Sequence, residues 1–398
     1  MNCQASSAAI LQGIQLVVGS TSREKPISLH EPDFRGTRAW EYVKDCLDTG
    51  WVSTAGSWVC RFEQELKSFT GASHAIAVSN GTVALRLALH LVGVKANDEV
   101  LLPPLSFVAT ANAVAHLGAK PHFIDVESNT LGMDPKTLSE RLKGIAVFRQ
   151  GKLINRETGR RIAAVLPVHV FGHPAQASEI RTVANEWGLP LVEDAAEALG
   201  SWREDNHCGL FGAVGTLSFN GNKLITTGGG GALITDDHEL AKRARHLSTT
   251  AKLPHPWDFE HDAVGWNDRL PNINAALGVA QLEDIDRRLD AKRLLAKRYA
   301  EVFANVEDIE LVSEPPGCRS NNWLVTLRFK ASNPSQAVQQ RQKLLKDAHC
   351  VGLLLRPAWK LLNELPMYKF APSSKLSVAR DQVQRLACLP SGTRMNHT

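Results

Sequence analysis

Between residue 75 and about residue 237, short apolar runs of strand length alternate with segments of helical period, and this alternation constrains the chain more than any other feature. Strands joined by crossover helices run parallel in a sheet covered on both faces, so an open α/β architecture follows. Strands are predicted at 75–79, 99–102, 122–125, 162–168, 189–193, 215–219 and 232–235. Helices are predicted at 82–92, where Val83, Leu87 and Leu91 share a face, at 109–117, and at 135–143 behind a first-turn proline. Residues 149–161, with four arginines, read as a surface hairpin or loop whose charges are solvated.

Beyond residue 237 the pattern changes. Helical periods at 237–247 and 273–302 precede strand-like runs at 323–329 and 351–355 that flank a helix at 334–348. The expected division is a large α/β domain over 26–272 and, over 273–398, a linking helix with a small α+β domain. A chain of 398 residues with 43% hydrophobic content can bury both cores.

A net charge of +4, without a basic block interleaved with aromatics, argues against a nucleic-acid partner. Seven cysteines lack any C-x-x-C pair or zinc-type spacing, which predicts thiols in a reducing, cytoplasmic compartment and no metal site. The apolar stretch 8–18 is interrupted by Gln12, Gly13 and Gln15 and follows no Lys or Arg. It predicts neither a secretory signal nor a membrane span, and residues 1–25 read as a poorly ordered extension.

Four pieces carry chemistry. Ser79-Asn-Gly-Thr82 follows a strand and opens a helix, so the N–H groups of Gly81, Thr82 and Val83 offer either an anion site or an ordinary capped helix end. Phe107, in Pro104-Leu-Ser-Phe-Val-Ala-Thr110, sits at the C-terminal edge of the next strand, where an aromatic stacks on a planar ligand or joins the core. Asp194, in Val192-Glu-Asp-Ala-Ala-Glu197, either caps a helix or holds a protonated pyridine nitrogen. Lys223 lies five residues after Ser218 and before the run Gly228 to Gly231, where its amine can form an imine while the hydroxyl meets a phosphate. Together a phosphate cradle, a stacking ring, a buried acid and an imine-forming lysine specify pyridoxal 5′-phosphate.

From about residue 26 to 390 the chain resembles the sugar-nucleotide aminotransferases of the DegT/DnrJ/EryC1/StrS family, within the aspartate-aminotransferase fold class (pyridoxal phosphate fold type I). The resemblance rests on Ser79-Asn-Gly-Thr82, Val192-Glu-Asp-Ala-Ala196, the segment 218–231 and Gly265-Trp-Asn-Asp-Arg-Leu-Pro-Asn-Ile-Asn-Ala-Ala-Leu-Gly278. Thr49-Gly-Trp-Val-Ser53, Thr130-Leu-Gly-Met-Asp-Pro135, Gly159-Arg-Arg161, Val168-His-Val-Phe-Gly-His173 and Leu353-Leu-Leu-Arg-Pro-Ala-Trp359 are similar to the branch acting on UDP-linked 4-keto sugars on the route to legionaminic acid.

The resemblance implies Lys223 as the Schiff-base lysine, Asp194 at the pyridine nitrogen, Phe107 on the ring, and Gly81, Thr82 and Ser218 at the phosphate. It implies a homodimer in which Asn267 reaches the neighbouring subunit's cofactor, with L-glutamate as amino donor and a nucleotide sugar as acceptor. Glu197 stands where many relatives carry Gln or His near the phenolic oxygen; a carboxylate there must be protonated or turned away. Arg269 and Arg356 are candidates for carboxylate or pyrophosphate oxygens, and Trp51 and His169 for the substrate; each also fits a structural role. Relatives that dehydrate sugars have His at the lysine position, so Lys223 argues against that activity. The resemblance also places a final helix after Cys388-Leu-Pro-Ser-Gly392 that looks short or missing here. A non-catalytic, cofactor-binding dimer stays open as an alternative.

Overall fold

The computed structural model describes residues 6–393. Helices α1 (Ser7–Val18), α2 (Ala39–Thr49) and α3 (Ser57–Thr70) lead into strand β1 (His74–Val78) and helix α4 (Gly81–Leu91). The chain continues through β2 (Glu99–Leu102), α5 (Ala109–His116), β3 (Lys120–Phe123), α6 (Pro135–Ile145), the hairpin β4 (Ala146–Arg149) and β5 (Lys152–Asn155), and β6 (Ile162–Val165). After α7 (Ala177–Glu186) come β7 (Val192–Asp194), the short hairpin β8 (Trp202–Arg203) and β9 (Asn206–His207), β10 (Val214–Ser218) and β11 (Gly231–Thr235). Helices α8 (His238–Ser248), α9 (Asn272–Leu282) and α10 (Ile285–Phe303) precede β12 (Ile309–Leu311), β13 (Cys318–Arg319), β14 (Thr326–Phe329), α11 (Pro334–Cys350), β15 (Arg356–Pro357), α12 (Ser377–Arg385) and β16 (Leu386–Cys388).

Strands β3, β2 and β6 pair in parallel, as do β7 and β10. Parallel bridges from Val165 to Leu191 and from Val168 to Asp194 join the two groups, giving the order β3-β2-β6-β7-β10-β11-β1. Strand β11 alone runs antiparallel, against both β10 and β1, because only residues 219–230 separate it from β10 and no crossover helix fits there. The fold is thus a mostly parallel α/β sheet of the fold type I class. The second domain builds on the antiparallel sheet β12-β14-β16-β15, covered by α11.

The N-terminal stretch is not the loose tail expected of residues 1–25. Ser6 caps α1 by accepting the Ala9 N–H, and Ile10, Ile14, Val17 and Val18 pack into one core with Tyr299 and Phe303 of α10 and Leu344 of α11. The interruptions have helical explanations: Gln12 faces solvent, and Gly13 lets α1 approach so closely that an added Cβ would lie 2.7 Å from the Phe303 ring. Ile14→Ala is expected to destabilise the fold by about 2–4 kcal/mol, a shift that chemical denaturation will read.

The helix predicted over 273–302 divides into α9 and α10 at Glu283–Asp284. Glu283 accepts the Tyr42 hydroxyl and an Arg61 N–H, which fastens this turn to α2 and α3. The run 351–355 forms no strand; Leu353 bridges Ile27 in parallel and the strand begins at Arg356. Residues 149–161 include the expected hairpin, but their arginines are not all solvated: Arg161 pairs with Asp98, and Arg160 approaches Glu99 at 3.5 Å. The chain after Thr393, where the sequence reading looks for a family helix, lies outside the described residues.

Candidate active site

Helix α4 opens at the C-terminal edge of β1, with Asn80 as its extended cap. The Asn80 side chain accepts the Val83 N–H at 2.9 Å, so Val83 is not available to an anion as the sequence reading expected. The N–H groups of Gly81 and Thr82 have no acceptor among the described residues and form the remaining cup. Ser218, at the end of β10, faces this cup so closely that a Cβ on Gly81 would lie 2.8 Å from the serine Cβ.

Asp194 ends β7 and is buried. One carboxylate oxygen accepts the Thr110 hydroxyl at 2.7 Å, and Thr110 in turn meets the Ser106 hydroxyl at 2.6 Å; the other oxygen accepts the Ala196 N–H at 3.2 Å. Burial raises the Asp194 carboxyl above the ordinary carboxylate range, and the Thr110 and Ala196 bonds with the Lys223 charge pull against that rise. A cationic ring nitrogen is the partner that favours the ionised form. Thr110, which orients Asp194, carries no local sign of that role, since the residue it meets lies 84 positions away.

Lys223 stands on a turn closed by its own N–H to the Asn220 carbonyl. The Trp323 indole donates to the Asn222 carbonyl at 2.7 Å, bracing that turn, and its ring lies 4.1 Å from the Lys223 Nζ. On the other side, Glu197 places Oε1 3.5 Å from Nζ, while its Oε2 accepts the Phe171 N–H at 2.8 Å. Burial, with Asp194 adding repulsion, pushes the Glu197 carboxyl up to about 7 against the pull of Lys223 and the Phe171 N–H.

These groups line one cavity of about 760 Å³. Gly81, Thr82, Phe107, Asp194, Glu197, Ser218 and Lys223 come from the large domain, and Arg356, Trp359, Lys360 and Cys388 from the small one. Phe107 is 52% exposed, leaving its ring open to a planar ligand; its edge meets Trp359, which stacks on Phe171 at 5.1 Å. Trp323 escaped sequence reasoning, and Trp359 entered it only as the last residue of a motif, because both reach the site only through the packing of the small domain.

The remaining candidates lie elsewhere. His169 does not face the cavity: it is fully buried, with Nδ1 accepting the Ala175 N–H and Nε2 3.0 Å from Glu193, so it is a structural histidine donating to that carboxylate. Trp51, Asn267 and Arg269 are exposed and outside this chain's cavity; the Arg269 backbone bridges Val78 and the Asn267 backbone bridges Thr249.

The cavity fits pyridoxal 5′-phosphate. Two unbonded N–H groups and the Ser218 hydroxyl suit its phosphate, Phe107 its ring, Asp194 its pyridine nitrogen and Lys223 its aldehyde.

The sequence profile of the DegT/DnrJ/EryC1/StrS aminotransferase family matches residues 35–398. The chain is 35% identical to EpsN of Bacillus subtilis strain 168 over 376 residues, covering 93% of this chain and 92% of EpsN. It is 32% identical to the GDP-perosamine synthase of Escherichia coli O157:H7, covering 92% and 93%. The crystal structure of the aminotransferase TlmJ from Streptoalloteichus hindustanus superposes with a TM-score of 0.82 at 29% identity, covering 92% of this chain and 93% of that one. Profile, relatives and cavity agree, and the chain belongs to the DegT/DnrJ/EryC1/StrS aminotransferase family, whose chemistry depends on pyridoxal 5′-phosphate.

Proposed function

We propose that this protein transfers an amino group from L-glutamate to C4 of a UDP-linked 4-keto-6-deoxy-N-acetylhexosamine, giving a 4-amino sugar nucleotide for nonulosonate or surface-glycan synthesis. The observation that carries the transamination is the convergence of Lys223, Glu197, Asp194, Ser218 and the two open N–H groups on one cavity. A sugar-nucleotide acceptor is supported by the likeness to a GDP-perosamine synthase. The UDP-linked N-acetylamino sugar rests on the branch motifs, notably Leu353-Leu-Leu-Arg-Pro-Ala-Trp359, whose Arg356 and Trp359 line the cavity.

The bound cofactor supplies an electron sink for the carbon that loses or gains a proton. This chain's residues do the rest. With the cofactor bound, Asp194 would hold the ring nitrogen's proton, Gly81, Thr82 and Ser218 would anchor the phosphate, and Lys223 would take and return the proton of the substrate carbon. Arg356, at the rim and without an ion-pair partner among the described residues, suits a carboxylate or a pyrophosphate.

A homodimer with shared sites belongs to the same proposal. Trp257, Phe259 and Val264 are 76%, 77% and 86% exposed on the segment that leads to Asn267 and Arg269. Apolar side chains this open, next to residues that miss their own cavity, favour a second copy as their cover. Among the described residues no helix is long and apolar enough to cross a membrane, and we place the activity in the cytoplasm.

The test is spectroscopic. The cofactor's visible band is expected to fall on adding L-glutamate and to return on adding the UDP-linked 4-keto sugar. Restoration by a GDP-linked 4-keto sugar alone would overturn the acceptor but keep the transamination. A band that never responds would mark a cofactor-binding protein without turnover.

A further inference from the structure

The Lys223 amine can act on an aldehyde only after it sheds a proton, and the cavity limits where that proton can go. Trp323 offers Nζ a ring face with no acceptor. Asp194, oriented by Thr110 and Ala196, makes no hydrogen bond or ion pair with Nζ among the described residues. The Cys388 thiol in the cavity wall is pushed up to about 12 by burial and stays protonated. His30, buried near Lys292, Arg288 and Lys223, is held neutral by burial and by those three basic residues. That leaves Glu197, with Oε1 3.5 Å from Nζ.

The surroundings of Glu197 are built to hold it there. Its Oε2 takes the N–H of Phe171, a buried aromatic at φ 57°, in the left-handed region that a bulky residue enters only at a cost of roughly 1–3 kcal/mol. The same turn is locked by Ser201 and Ser320, both donating to the Gly172 carbonyl. Asn321 donates to the carbonyls of Glu197 and Leu199, fixing the backbone that carries the carboxyl. Three side chains and a strained residue thus over-determine the position of one oxygen beside the lysine.

We infer that Glu197 is the proton acceptor for Lys223, taking one proton from its ammonium so that the neutral amine can attack the cofactor's aldehyde carbon. The proton moves from Nζ to Oε1. The amine then exchanges its two remaining N–H bonds and the aldehyde C=O bond for a C=N bond and one water, so atoms and charge balance. Glu197 ends the step neutral beside Asp194 and no longer repels it. This role rests on the aminotransferase reading and adds a function to a residue otherwise expected only to face the phenolic oxygen.

The test strips the full-length protein of cofactor and follows its capture of pyridoxal 5′-phosphate by absorbance across pH, for wild type, Glu197→Gln and Glu197→Asp. A proton acceptor must be ionised, so wild-type capture is expected to rise through a midpoint near 7, where the carboxyl loses its own proton. Glu197→Gln removes the acceptor, and its midpoint is expected to move upward, with capture at pH 7 slowed at least about tenfold. Glu197→Asp is expected to restore the lower midpoint. Equal midpoints in wild type and Glu197→Gln would overturn the inference. Should Glu197→Gln fail to fold, the infrared band of a protonated carboxylic acid in the wild-type apoprotein decides: titration near 7 supports the role, and its absence overturns it. A protein that captures no cofactor at any pH would instead refute the aminotransferase reading.

Discussion

Lys223→Ala is expected to lower turnover by about 10⁴-fold and to abolish borohydride fixation of the cofactor to the protein. One side chain holds two tasks, imine formation and proton transfer at the substrate carbon, and proton transfer by a positioned group alone is worth 10²–10⁴. Lys223→Arg is expected to fare no better, although it keeps the charge over Trp323. A guanidinium does not give up its proton near neutrality, so it serves neither task. The cavity and its cup do not depend on the lysine, so both variants are expected to fold as wild type and to bind the cofactor without fixing it. Circular dichroism and equilibrium dialysis check those two points, and full multi-turnover activity in either variant would refute the assigned role.

The second large effect comes from a residue with no side chain. Gly231→Ala is expected to destabilise the protein by about 3 kcal/mol and to weaken cofactor affinity at least tenfold. The added Cβ would lie 2.6 Å from the Asn80 carbonyl carbon and oxygen and 2.8 Å from the Gly81 nitrogen. Those are backbone atoms of the helix start that forms the cup, so β11 or α4 must move. Gly229 is the control: nothing lies within 4 Å of its Cβ position, and Gly229→Ala is expected to stay within about 1 kcal/mol of wild type. Thermal melting with and without cofactor separates the loss of stability from the loss of binding.

That contrast also shows what a sequence discloses. A run of four glycines permits close backbone approach, but which of them carries the contact depends on β11 inserting between β1 and β10. Asp194, Ser218 and Gly81 could be singled out for a shared reason: each sits where a strand ends or a helix begins, and such boundaries announce themselves in local patterns, whereas Lys223, on the turn after β10, is marked by the glycine run that follows it. Val83 was misjudged because the Asn80 side chain competes for its N–H, a contest invisible in the order of residues. His169 looked like a ligand for want of its burial beside Glu193. Helix α1 looked like a tail because its apolar face has a partner only in α10 and α11, nearly three hundred residues on. The aromatic wall of Trp323 and Trp359 has the same origin, since its members share no local pattern and meet only when the small domain docks.

The buried Lys292 of α10 has a mechanical consequence. Its Nζ donates to the carbonyls of Trp323 and Ser391, two points of the small domain, in a setting with no exposed surface, and burial holds the amine well below the ordinary lysine range. Turning the small sheet against α10 would strip that nitrogen of both acceptors in a dry interior, a penalty of about 1–3 kcal/mol. Any shift of the small sheet would therefore carry α10 with it. The bend belongs at Glu283–Asp284, where the ladder of helical bonds is already broken, and a lever pivoting there would sweep Arg356 and Trp359 across the mouth of the cavity.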